Sequence, residues 1–132
     1  MSDPSLGLDF GCGGCWPSRA DAAWEARALL SLAAVLVDES HYIVRILECP
    51  NCTQRFISAF SETIDWSGGD DSQFWTLMPI TAPEAADLAR QGESLTEAKL
   101  AGLATTRRSL RRDYPTAAAP RIYWGTGAQS RW

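Results

Sequence analysis

Two copies of Cys-x-x-Cys constrain this chain more than any other feature: "CGGC" at 12–15 and "CPNC" at 49–52, with no further cysteine in 132 residues. A tight turn carrying two sulfurs presents both to one metal ion. Two such turns complete the tetrahedral thiolate shell that zinc prefers. The 33 residues between the pairs exceed the roughly 15–20 of compact zinc sites. A helix inserted between the turns accounts for the extra length. Gly13 and Gly14 relax the first turn, and Pro50 stiffens the second.

Composition decides between metal and disulfide. The start, "MSDPSLGLDF", has neither the basic nor the apolar region of a secretory signal, and no apolar run approaches the length of a membrane span. The expected compartment is therefore the cytoplasm, where thiols stay reduced and doubled CxxC pairs favour metal. Arginine supplies eleven of the twelve basic residues and alanine is abundant, an association with high-GC bacterial genomes. Charge is uneven. Residues 1–98 hold 5 basic and 15 acidic side chains, whereas residues 99–132 hold 7 basic and 1 acidic. An acidic body argues against general nucleic-acid affinity and leaves only the C-terminal part open to it.

Along the chain, Ser18 is positioned to cap a helix over 19–37, with Trp24, Ala28, Leu32 and Val35 repeating at helical spacing. "HYIVRILE" (41–48), "RFISAFSETIDW" (55–66) and "QFWTLMPI" (73–80) read as three antiparallel strands, the last two joined by the turn signal "WSGGDD". Thr81 and Glu84 form a capping box for a short helix that Gly92 closes. Ser94 and Glu97 suggest a second, longer helix to about Arg112. Pro115 and Pro120 bracket a linker, after which "RIYW" is a last strand or a docking segment. The expected fold is α+β: a small three-stranded antiparallel sheet with a zinc knuckle, packed with about three helices. Residues 1–114 form the expected domain, and 115–132 a Pro/Ala linker and tail.

With "CPNC" between two strands and "CGGC" upstream, residues 41–66 resemble the zinc-ribbon group, in which a CPxC knuckle on a hairpin supplies half of a four-cysteine site. The resemblance implies one structural Zn²⁺ per chain on Cys12, Cys15, Cys49 and Cys52. Thr53 stands where that pattern has glycine. The competing chemistry is redox, since "CGGCWPSRADAAW" puts a CxxC before a helix, as thiol oxidoreductases do. No strong strand precedes Cys12, and the second pair lies between strands.

Catalytic residues are not legible. His41 is the single histidine, read as a strand-edge residue, and neither a Ser/His/Asp set nor a phosphate loop is present. Asp65, Asp70 and Asp71 crowd one hairpin turn with Trp66 and Trp75 nearby, which is what a surface for a basic protein looks like. "RRSLRR" puts Arg107, Arg108, Arg111 and Arg112 at a helix end, where the helix dipole favours them and where nucleic-acid contact is the sharper reading. The expectation is a non-catalytic, zinc-stabilised binding protein for a basic protein partner. In size and charge alone it resembles the bacterial immunity proteins that cover a nuclease active site. The alternatives are a zinc-ribbon regulator on nucleic acid and a CxxC thiol oxidoreductase.

Overall fold

The two β-branched runs either side of "CPNC" pair as a hairpin at the centre of a computed structural model that describes residues 10–63, 72–114 and 119–128. The sheet is larger than the sequence implied. Six antiparallel strands lie in chain order: β1 (Ser31–Glu39), β2 (Tyr42–Glu48), β3 (Arg55–Thr63), β4 (Ser72–Ile80), β5 (Arg108–Tyr114) and β6 (Arg121–Thr126). α1 (Ala20–Ala26) precedes them, while α2 (Ala82–Gln91) and α3 (Glu97–Ala101) connect β4 to β5. The architecture is α+β, but the expected three-stranded sheet is corrected to six strands.

Two of the added strands come from segments read as helix. The helix starting near residue 19 stops at Ala26, and after a 3₁₀ turn (Arg27–Leu29) the chain becomes β1. Leu32 and Val35 sit at helical spacing, but Ser40 and His41 close a tight turn that places Val37 against Val44. Pairing with a neighbouring strand outweighs a weak local preference. Two register shifts, at Leu32/Ala34 and Val35/Val37, break strict alternation in β1 and hide the period-2 signal. The second correction concerns "RRSLRR", which from Arg108 onward forms β5 instead of ending a helix. α3 stops at Ala101, and its cap is Thr96, whose hydroxyl accepts from the Lys99 N–H. "RIYW" enters the sheet as β6.

α2 follows its sequence signals. Thr81 Oγ1 accepts from the Glu84 N–H and Glu84 Oε1 accepts from the Thr81 N–H, closing the capping box, and Gly92 ends the helix at φ 50°.

Both faces of the sheet are covered in part, so polar and apolar residues do not sort cleanly along the strands. α2 and α3 press Ala85, Leu88, Leu95 and Leu100 onto Val44, Ile46, Ile57 and Met78. On the opposite face, α1 and the N-terminal turn press Ala23 and Trp16 onto Phe56, Leu77 and Leu110. This second core carries the cysteines. Among the described residues, no helix is long and apolar enough to cross a membrane.

Candidate metal centre

Cys12 and Cys15 close one turn and Cys49 and Cys52 another. In the first, the N–H groups of Cys15 and Trp16 both donate to the Cys12 carbonyl. In the second, which links β2 to β3, Thr53 N–H donates to the Cys49 carbonyl and Cys49 N–H to the Gln54 carbonyl. Thr53 takes the left-handed conformation, φ 64°, that glycine usually fills in such a knuckle. A β-branched residue there is strained.

The two turns meet. All four sulfurs lie within 4.8 Å of one another. Cys12 and Cys15 Sγ are 3.6 Å apart, Cys15 and Cys52 Sγ 3.7 Å, and Cys12 and Cys49 Sγ 4.0 Å. Thiolates at about 2.3 Å from a central zinc would form a tetrahedron with edges of about 3.8 Å. The four cysteines are thus positioned to hold one metal ion. Cys15 and Cys49 are buried, Cys12 is half-buried and Cys52 is exposed.

The protonation of the thiols follows their surroundings. Backbone N–H groups of Cys15 and Gly14, with the neighbouring thiols, lower Cys12 to about 7. Burial pushes the Cys15 thiol up, and desolvation beside the other thiols raises Cys52 although that residue is exposed overall. A metal ion at the centre would replace those protons.

Three contacts that the sequence did not announce hold the first turn on the sheet. Gly11 N–H donates to Gln54 Oε1 at 3.0 Å, while Gln54 Nε2 donates to the carbonyls of Arg55 and Ile80 at 2.8 and 2.9 Å. Trp16 packs against Phe56 and edge-on against Trp124, with ring centroids 5.4 and 5.0 Å apart. Gly11, at φ 70°, leaves no room for a side chain: a Cβ there would lie 2.8 Å from Trp16 Cβ and 3.0 Å from Cys15 Sγ. The aromatic directly after Cys15 was a readable hint of anchoring. Nothing in the sequence marks Gln54, whose reach depends on where the two turns end up.

The other expected site residues fall in different places. Asp65, Trp66, Asp70 and Asp71 lie outside the described residues. Trp75 is half-buried in β4, with Phe60 at 4.8 Å and Trp24 at 5.9 Å. His41 sits in the β1–β2 turn, 3.0 Å from Glu62. The four arginines do not form one patch, because a strand sends alternate side chains to opposite faces. Arg111 is 4% exposed and donates to the Thr126 carbonyl. Arg107 pairs with Glu84 at 2.6 Å. Arg108 and Arg112 stack on tryptophans of the other face, over Trp124 at 4.0 Å and Trp75 at 4.8 Å.

No protein-family model, curated protein or solved structure matches this chain. The likeness to zinc ribbons therefore stands on the cysteine turns alone.

Proposed function

We propose that this chain is a zinc-stabilised binding protein without a reaction of its own, and that its acidic end takes a basic protein partner. The carrying observation is the sulfur cluster, in which all four tetrahedral positions come from the protein. A four-thiolate shell leaves no coordination position for substrate, and zinc suits a redox-silent structural role. The thiol-oxidoreductase alternative is less well supported, because the four sulfurs gather at one point instead of leaving a separate accessible pair.

Support for the partner comes from the end of the sheet beside the β1–β2 turn. Glu39, Glu62, Glu93 and Glu97 line a groove of about 700 Å³ with Tyr42 and Leu95, and among the described residues no lysine or arginine lines it. Burial, with the Glu97 and Glu39 charges, raises the Tyr42 hydroxyl to about 12. In the sequence, Asp65, Asp70 and Asp71 follow β3 and add three further acidic side chains to the acidic part of the chain. Complementary charge acts mainly on the rate of encounter.

The test is binding of a labelled oligoarginine peptide to the metal-loaded chain at low salt, followed by stopped flow. Association should weaken with salt and slow in Glu93→Gln and Glu39→Gln. Failure to bind, or equal rates in those variants, would remove the acidic groove as the partner site. Metal analysis of the same preparation should give about one zinc per chain.

A further inference from the structure

A second surface has the opposite character. On the sheet face that carries α1, the register aligns Ile43, Phe60, Trp75 and Arg112 across β2 to β5, with Arg45 and Ser58 in the next row. α1 packs on β5 and β6, and with the N-terminal turn it covers Phe56 and Leu77, while Ile43, Ser58, Phe60 and Trp75 stay only half-buried and Arg45 is exposed. Ile43, Arg45, Ser58, Phe60 and Trp75 line a groove of about 230 Å³ there. Val35, paired with Arg45, and Leu32 extend the apolar surface to the edge strand, 48% and 58% exposed.

The arginines on this face are arranged unusually. Arg27 and Arg112 both sit on the Trp24 ring, their guanidinium carbons 3.7 and 5.2 Å from its centroid. Arg112 also reaches Trp75 at 4.8 Å and Tyr114 at 5.9 Å. Partial desolvation, followed by the Arg112 charge, pulls the Arg27 guanidinium below its ordinary range. Among the described residues, neither of these arginines nor Arg45 has a carboxylate partner, whereas Arg19, Arg55, Arg90, Arg107 and Arg121 each do. Glu62, one row beyond Phe60, is already engaged by His41 and Gln73. Two cations held on one indole, with no carboxylate partner among the described residues, favour an incoming anion.

We propose that this face binds single-stranded nucleic acid, with Arg27, Arg112 and Arg45 on phosphates and a base stacked in the Phe60–Trp75 groove. The groove is smaller than the roughly 300–1,000 Å³ of a small-molecule site, which suits one ring of a longer ligand better than a whole cofactor. The alternative polyanion, an acidic peptide, is less favoured by the geometry. On the face of a sheet the backbone N–H and C=O groups are spent in the ladder, so an extended peptide finds no main-chain partners. A single strand needs none: its bases stack on aromatic rings and its phosphates take guanidiniums. A duplex cannot offer unstacked bases to a shallow groove. This surface is independent of the acidic groove, and either can fail without the other.

The experiment is fluorescence anisotropy with the full metal-loaded chain and four probes: labelled oligothymidylate, oligouridylate, a DNA duplex and oligoglutamate. Both single strands should bind and quench tryptophan fluorescence, and affinity should fall with salt. Arg27→Ala and Arg112→Ala should each weaken binding several-fold and lower the slope of log affinity on log salt by about 0.7. Arg45→Ala, on an exposed strand position, keeps the test valid if the Trp24 stack does not tolerate change. Arg90→Ala, on α2, should bind as the parent does. The proposal is overturned if neither single strand binds at low salt, or if oligoglutamate or duplex binds as tightly. It is equally overturned if all three arginine variants match the parent.

Discussion

Gly11 and Gln54 meet across 43 residues of chain, the Gly11 N–H donating to Gln54 Oε1 at 3.0 Å. Gln54 follows the second cysteine turn and Gly11 precedes the first, so this one bond ties the halves of the metal centre together without the metal. The same amide, through Nε2, is fixed to the Ile80 carbonyl at the end of β4. Gln54→Ala should therefore cost about 1–3 kcal/mol, since it leaves polar groups of the turn unpaired. Denaturant unfolding of the metal-loaded protein measures this. A change below experimental error would show that the cysteine turns are held by the metal and Trp16 alone.

Removing the metal should act on the whole molecule but first on its N-terminal turn. Apart from the metal, residues 10–18 are anchored by the Gly11–Gln54 bond, by Trp124 Nε1 donating to the Ser18 carbonyl, and by the packing of Phe10 and Trp16. Four-thiolate zinc contributes on the order of 10 kcal/mol to small domains. After chelation, hydrogen exchange should rise around Cys12–Trp16 before β2 and β3. Uniform protection with and without metal would contradict this.

Metal binding should weaken as pH falls. Cys15, pushed up by burial, and Cys52, raised by desolvation beside the other thiols, hold their protons in the metal-free chain and must release them to bind. Zinc titrations from neutral to mildly acidic pH should show falling affinity with proton release in calorimetry. A pH-independent affinity would mean that the thiols are not the ligands.

Thr53→Gly should stabilise the protein by about 1 kcal/mol. Thr53 is held at φ 64°, and a β-branched residue pays for that conformation where glycine does not. The gain is offset in part by the added freedom of the unfolded chain and by loss of the hydroxyl bond to the Cys52 carbonyl, 2.6 Å. A drop in melting temperature with intact metal content would refute the strain argument.

Glu84 links three elements. It caps α2, and it accepts from Arg107, which also donates to the Pro79 carbonyl and lies 4.6 Å over the Phe10 ring. Burial raises the Glu84 carboxyl, but its bonds from Arg107 and Thr81 outweigh that and hold it below the usual carboxylate range. A folded pKa below the unfolded one stabilises above the unfolded value, and the benefit disappears as the pH falls through the folded value. Glu84→Gln should cost about 1–2 kcal/mol at neutral pH, the residue being partly solvent-exposed, and nothing in strong acid. A pH-independent difference would mean that shape, not charge, carries the interaction.

The sequence by itself determined what is local. The two cysteine turns are set by spacing, the β2–β3 hairpin by β-branched runs around Pro50, and the start of α2 by Thr81 and Glu84, whose bonds span three residues. Tertiary structure decided what depends on distant partners. Ser31–Glu39 contains good helix formers and becomes a strand because β2 lies one tight turn away and the helix-covered core buries Leu36 and Val37. Arg108–Tyr114 carries four charges and still enters the sheet, because β4 and β6 supply its backbone partners and Arg111 finds a carbonyl inside. Gly125 leaves the space for that: a Cβ there would lie 2.1 Å from Arg111 Nε. A helix satisfies its backbone within a few residues of chain, so its signals are written locally. A strand satisfies its backbone on neighbours that only the fold brings near, and so do the Gln54 bridge and the Arg27–Trp24–Arg112 stack.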